Sequence, residues 1–204
     1  MVDRQLRKRG IRDPRVLRAM LTIPRQEFVP HEYRIFSYQD EPLQIGHGQT
    51  ISQPYMTALM AELLELTGTE TVLDVGGGSG YHAAVLGQLA ARVISIEIIP
   101  ALARQAEQNL ARTALGGNIA VVCADGSQGW PEAAPYGGIS VAAAAPEIPE
   151  PLLAQLADPS RLVIPVGDQR DQELRVISKK DGAVSERIAT FCRFVPLRGD
   201  GGWR

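Results

Sequence analysis

Three observations predict an α/β fold built on a mostly parallel sheet. After Gly68, short apolar runs alternate with helical stretches; a glycine-rich turn joins the first run to the first helix; and two later runs flank an Asp181-Gly182 turn. Strands that alternate with helices lie side by side in parallel, with helices on both faces. An Asp-Gly between two alternating segments makes an antiparallel hairpin, here at the carboxyl end of the sheet. The 204 residues, 45% hydrophobic and 22% charged, supply the core of a single domain and exclude extensive disorder or a collagen-like repeat.

Asp13 is an N-cap and Pro14 the first helical residue, with Val16, Leu17, Met20 and Leu21 as the apolar face of a short helix. From Pro54, the residues Met56, Leu59, Met60, Leu63 and Leu64 recur at helical spacing until Thr67-Gly68 stops the run. Residues 1–66 are therefore a helical addition to an α/β core at 67–204. Within the core, strands are expected at 71–75, 92–97, 120–123, 139–142 and 161–166, and helices at 81–89, 100–112 and 151–156. Residues 173–178 and 187–195 form the hairpin.

With 21 Lys+Arg against 23 Asp+Glu and a net charge of -2, the chain lacks the basic excess that accompanies binding to nucleic acid or acidic membranes. The basic start MVDRQLRKRG is followed by no apolar stretch, and nowhere do about 18 apolar residues follow one another, so a cytoplasmic protein without a membrane partner is expected. A monomer is expected as well. Cys123 and Cys192 belong to no CxxC pair and read as core thiols, and Trp130 reads as a packing residue. His31, His47 and His82 show neither HxxxH nor HExxH spacing, so no metal is expected.

The sharpest local signal is Val72-Leu73-Asp74-Val75-Gly76-Gly77-Gly78-Ser79-Gly80-Tyr81, a strand that runs into glycines that open a helix. Glycines there allow positive φ and let a ligand approach the backbone at the carboxyl end of a parallel strand. A tight turn with nothing bound is the plain alternative. Spacing sorts the ligands: Gly76, Gly78 and Gly80 give GxGxG rather than the dinucleotide GxGxxG, GK[ST] is absent, and Tyr81 spoils the GxSxG elbow. A nucleoside that carries positive charge and no phosphate suits the loop, with Asp74 near its cationic groups. Glu97 ends the next strand, where a carboxylate can accept from a ribose diol, though alone it reads equally as a surface carboxylate. Asp125-Gly126 ends the third and can accept from an exocyclic amine, though alone it reads as a turn. Three such loops on one sheet edge together read as a site for S-adenosylmethionine.

The sequence resembles the protein-L-isoaspartate O-methyltransferases over nearly its whole length. The resemblance rests on Ile45-Gly46-His47-Gly48-Gln49-Thr50-Ile51-Ser52-Gln53-Pro54-Tyr55-Met56, Gly78-Ser79-Gly80-Tyr81, Ser95-Ile96-Glu97, Asp125-Gly126-Ser127 with Gly129-Trp130-Pro131, Ala143-Ala144-Ala145-Pro146-Glu147-Ile148-Pro149 and Phe194-Val195-Pro196-Leu197. It implies a Rossmann-like class I methyltransferase fold. It also implies transfer of methyl from S-adenosylmethionine to the free carboxylate of L-isoaspartyl residues in damaged proteins and peptides, with S-adenosylhomocysteine as product. By position, Ser52 corresponds to the active-site serine, and Asp74, Gly76, Gly77, Gly78, Ser79, Gly80, Glu97, Asp125 and Gly126 to cofactor contacts. His47, Gln49, Thr50, Ile51 and Gln53, with Val195, Pro196 and Leu197, would flank the peptide.

The chain departs from the family pattern at Gly137, usually Asp; at Ala142, commonly Thr; at Gly77, frequently Thr; and at Asp158-Pro159-Ser160, usually Pro-Gly-Gly. The first three are expected near the cofactor half, where lost side-chain hydrogen bonds would weaken affinity and rigidity. The last is expected to alter only a loop.

A carboxylate with a pKa of roughly 3.3 to 3.9 is already ionised at neutral pH, so methyl transfer to it needs alignment rather than a general base. Ser52 can donate one hydrogen bond to the oxygen that does not attack. Its position before Gln53-Pro54 also suits an N-cap, and pattern alone leaves both roles open. Three other functions compete: a cofactor-binding adaptor without turnover, an NAD-dependent oxidoreductase disfavoured by the glycine spacing, and a methyltransferase for another acid.

Overall fold

The amino-terminal third supplies helix α1 (Pro14–Thr22), strands β1 (Leu43–Gly46) and β2 (Gln49–Ile51), and helix α2 (Pro54–Leu63). The computed structural model describes residues 1–168 and 170–203. Asp13 caps α1, its carboxylate accepting from the Arg15 N–H at 2.7 Å. Val16, Leu17, Ala19 and Met20 form the buried stripe. Leu21, expected in that stripe, is 72% exposed; those four residues already fill the arc that one short helix turns to its core. The β1–β2 hairpin was not expected from the sequence, because strands this short carry no readable alternation. Its turn is made by Gly46, His47 and Gly48, all with positive φ, and Leu43, Ile45 and Ile51 are buried.

Beyond Gly68 come β3 (Thr71–Val75), α3 (Tyr81–Gly87), β4 (Arg92–Glu97), α4 (Pro100–Thr113), β5 (Ile119–Cys123), β6 (Tyr136–Val141), α5 (Glu150–Ala154), β7 (Leu156–Gly167), β8 (Gln172–Lys180) and β9 (Ala183–Cys192). The sheet order is β5-β4-β3-β6-β7-β8-β9. All pairings from β5 to β7 are parallel, β8 runs antiparallel to β7, and β9 antiparallel to β8. The expected parallel core and final hairpin are both present. From β3 the chain moves out to β4 and β5, then returns past β3 to β6, which opens a crevice at the carboxyl ends of β3 and β6.

Successive residues point to opposite faces of the sheet. Val72, Val93 and Val163 pack with α1, α2 and α3, whereas Leu73, Ile94, Leu162 and Ile164 pack with Leu152 of α5 and with Leu197.

Several boundaries and residues differ from expectation. The helix expected to reach 156 stops at Ala154, because Leu156 already pairs with Tyr136 as β7 begins. Asp158, Pro159 and Ser160 are therefore part of a long strand rather than a loop, and the Asp158 carboxylate accepts from the N–H groups of Asp181 and Gly182 in the β8–β9 turn. Strand β9 ends at Cys192, so 193–195 leave the ladder. Cys123, read as a core thiol, is exposed at the end of edge strand β5, and Cys192 is half-buried. Trp130 packs against the α5 side of the sheet.

Gly137 lies near the amino-terminal end of β6, away from the crevice, which corrects its expected place near the cofactor half. A Cβ there would stand 2.6 Å from Glu70 Cγ and 2.7 Å from Glu70 Cβ. Glu70 is fixed because its carboxylate accepts from the N–H and hydroxyl of Thr67 and the N–H of Gly68. Gly137→Asp, which restores the usual family residue, is expected to lower unfolding free energy by about 1–3 kcal/mol through overpacking. Urea denaturation checks this, and calorimetric titration with S-adenosylhomocysteine should show unchanged affinity. Weakened binding with intact stability would put residue 137 in the site after all.

Candidate active site

The crevice begins where β3 ends. Gly76, Gly78 and Gly80 have φ of 84°, 54° and 85°, a left-handed region that side chains with a Cβ avoid. The N–H groups of Gly76 and Gly77 both donate to the Ile96 carbonyl at 2.9 Å, that of Gly78 to Glu97 Oε2 at 2.8 Å, and that of Gly80 to the Gly77 carbonyl at 2.8 Å. These four donors are spent inside the protein and are not free for a phosphate. Gly80 serves packing: a Cβ on it would stand 3.3 Å from Ala106 of α4.

Glu97 is 5% exposed, and its Oε1 accepts from the Ile99 N–H at 2.9 Å. Two of about four acceptor sites on its carboxylate are thus used, and two are left for a ligand. Glu97 faces a cavity at the carboxyl edge of the sheet. Its walls are Gly76, Gly78 and Gly126, the apolar Ile96, Ile98 and Ile99, Gln49 and Thr50 from β2, Ala142 and Ala143 after β6, and Val195 to Arg198. A diol acceptor, an apolar slot for a flat base and a cradle without Cβ atoms fit the nucleoside half of S-adenosylmethionine.

A second, wider cavity shares Thr50, Ala142 and Val195 with the first. It runs between Ser52, Gln53, Tyr55 and Met56 on one side and Thr190 to Phe194 on the other. Arg9 lies over the Tyr55 ring at 3.5 Å and pairs with Asp40 at its rim. A small chamber lined by Thr50 to Ser52, Thr57, Gly76 to Ser79, Tyr81 and His82 lies between Ser52 and the glycine loop. The N-cap of α2 is Gln53, with no side-chain bond at that cap, so capping does not occupy Ser52.

The predicted site residues thus fall into groups. Gln49, Thr50, Pro196, Leu197, Gly76, Gly78, Glu97 and Gly126 line the first cavity; Gln53 lines the second and Val195 both; Ile51, Gly77 and Ser79 face the chamber. His47 is exposed at the β1–β2 turn and lines none of the three.

Asp74 and Asp125 also lie behind the walls. Asp125 caps the turn at Gly126–Gln128, accepting from Ser127 and from the Asp200 N–H, and so clasps the carboxyl-terminal segment. Trp203 extends that clasp, its indole N–H donating to the Ala144 carbonyl. Asp74 is wholly buried, accepts from Ser95 Oγ at 2.8 Å, and faces His82 Nδ1 at 3.7 Å. Burial raises the Asp74 pKa against the pull of His82 and Ser95, and burial lowers that of His82 against the pull of Asp74. A Cβ at Gly77 would collide with Ser95 Oγ, so glycine there leaves room for the bond to Asp74.

Ala142, expected near the cofactor half, does line the first cavity, whereas sequence reasoning missed Ile98, Ile99, Ala143 and Arg198. The first three of these lie just beyond the carboxyl end of a parallel strand, the same signal that selects Glu97. Among the described residues, no three His, Cys, Asp or Glu side chains are grouped to hold a metal ion.

The family model for protein-L-isoaspartate(D-aspartate) O-methyltransferase matches residues 1–201. A Methanospirillum hungatei protein named protein-L-isoaspartate O-methyltransferase is 52% identical over all of this chain and 94% of its own length. A Marinobacter nauticus protein named protein-L-isoaspartate O-methyltransferase 2 is 55% identical over all of this chain and 93% of its own. Among solved structures, one with the same name superposes with a TM-score of 0.87 at 32% identity over 96% of this chain, which spans 64% of that longer chain. A Plasmodium falciparum structure named for the same activity and solved with S-adenosyl-L-homocysteine gives a TM-score of 0.84 at 28% identity over 94% of both chains. The architecture is that of a class I methyltransferase. Agreement of this extent, in sequence and in fold, makes the chain a member of the protein-L-isoaspartate(D-aspartate) O-methyltransferase family.

Proposed function

We propose that the chain methylates the free carboxylate of L-isoaspartyl residues in proteins and peptides, that the first cavity takes S-adenosylmethionine, and that Ser52 orients the acceptor carboxylate. The observation that carries this is the position of Ser52. It lies on the wall of the wide cavity and of the chamber that leads to the glycine loop, between room for a peptide and room for a nucleoside. When bound, S-adenosylmethionine supplies a methyl group on a positively charged sulfur. Glu97 accepts from the ribose diol, and Ile98 and Ile99 cover the base. The Ser52 hydroxyl donates to one carboxylate oxygen and leaves the other free to attack, which a tightly paired Arg or Lys would hinder. Gln53 and Thr190 to Val195 guide the peptide, Ile51 backs the chamber beside Ser52, and Thr50 stands between both ligands.

The adaptor reading is not favoured. Of the departures from the family pattern, Gly137 lies outside the site, and Ala142 still holds the cavity wall through its N–H bond to the Val75 carbonyl. We further infer that residues 1–66 and 67–204 form one folding unit that acts as a cytoplasmic monomer, without nucleic-acid or membrane partners. A net charge of -2 supports the last point, and no described helix is long and apolar enough to cross a membrane.

The deciding measurement is transfer of labelled methyl to a peptide with one L-isoaspartyl residue, beside the same peptide with ordinary aspartate. Base-labile ester on the first alone is expected; ester on both, or on neither, would overturn the assignment. Ser52→Ala should lower kcat about 10- to 100-fold, the loss of one hydrogen bond to a charged group. Its fold and affinity for S-adenosylhomocysteine should persist, and a fully active variant would remove Ser52 from the mechanism. Glu97→Gln, whose amide replaces one acceptor oxygen, should raise the Kd for S-adenosylhomocysteine about tenfold or more in calorimetry. Unchanged affinity would show that Glu97 does not hold the diol.

A further inference from the structure

Arg25, in the short turn after α1, is fully buried. Its Nε donates to the Ser37 carbonyl at 2.8 Å and its Nη2 to the Ser52 carbonyl at 2.8 Å. The guanidinium lies 4.8 Å from the ring centroid of Tyr81, the first residue of α3, directly after the glycine loop. Tyr81 is itself buried, edge-on to Phe28 at 5.5 Å. Nη1 of Arg25 is buried without a hydrogen-bond partner, and among the described residues no carboxylate lies within ion-pairing distance of the group.

A buried cation with no carboxylate partner is a poor choice for packing alone, since an apolar side chain of similar volume fills such space without the desolvation cost. What a guanidinium adds is a planar fork that bonds two carbonyls at once and stacks on a ring. Ser52 lies between β2 and α2, outside both elements. Its carbonyl is held from the side by Arg25, and Arg25 is held against the residue that follows the glycine loop.

We propose that Arg25 is a positioning residue for methyl transfer, fixing the backbone of Ser52 relative to the glycine loop and hence the direction of the Ser52 hydroxyl. This rests on the role given to Ser52 above. Arg25 touches neither ligand and acts through Ser52.

A double-mutant cycle tests it. Arg25→Lys keeps a cation but replaces the fork by a point donor that cannot reproduce both bonds. With Ser52 present, it should lower kcat on an isoaspartyl peptide about tenfold or more, the scale of a small misplacement. Affinity for S-adenosylhomocysteine, read by calorimetry, should stay within about twofold, and in the Ser52→Ala background the further loss in kcat should also stay within about twofold. Equal losses in both backgrounds, no loss with Ser52 present, or a parallel loss of affinity would each overturn the proposal. If Arg25→Lys does not fold, Arg25→Gln, which removes the buried charge, enters the same cycle with the same criteria. A fully active Ser52→Ala enzyme would overturn the reading of Ser52 and this one with it, and the single variant shows that outcome without the cycle.

Discussion

The arrangement of the site depends on how the loop after β3 is tied to the end of β4. Two glycine N–H groups share the Ile96 carbonyl and a third reaches Glu97. These bonds place the loop and orient the Glu97 carboxylate. The glycines are required because the conformations that aim those N–H groups at β4 have positive φ at Gly76 and Gly78. The glycines that make the loop read as a ligand turn in sequence are thus the ones that tie it to β4 in the structure.

Beneath the loop, Gly77, Ser95, Asp74 and His82 form one unit. The missing Cβ of Gly77 admits the Ser95 hydroxyl, which satisfies one oxygen of Asp74, while His82 faces the other. An isolated buried carboxylate is costly, and this packing supplies one hydrogen bond and one imidazole against that cost. The departure at Gly77 thus lies against a serine one strand away, a neighbour visible only once β3 and β4 are paired at Asp74 and Ser95.

Most of the sheet was legible because its strands are short apolar runs cut off by glycine, proline or charge. The long strand β7 was misread at its start, since 156–160 carries the turn-like Asp-Pro-Ser and reveals its pairing only through Tyr136 and Lys179. The β1–β2 hairpin escaped because three or four residues cannot display a period. In the site, residues that follow strand ends were readable by rule, and Glu97 was found that way. Asp74 and Asp125 look equally well placed in sequence, yet their side chains turn into the protein, a choice made by neighbours distant in the chain: Ser95 and His82 for one, Asp200 for the other. Arg25 carries no sequence signal at all, because nothing local tells a buried arginine from a solvated one.

The wall shared by the two cavities constrains how such an enzyme can change. Thr50, Ala142 and Val195 each face both spaces, so under the proposed assignment of donor and acceptor a substitution there would alter methyl-donor affinity and acceptor choice together. Phe191 and Gln53 face only the wide cavity, and Ile98 only the narrow one. Under that assignment, divergence toward new protein clients would be open along β9 and the start of α2 without disturbing the donor, whereas drift at the three shared positions would have to satisfy two ligands at once.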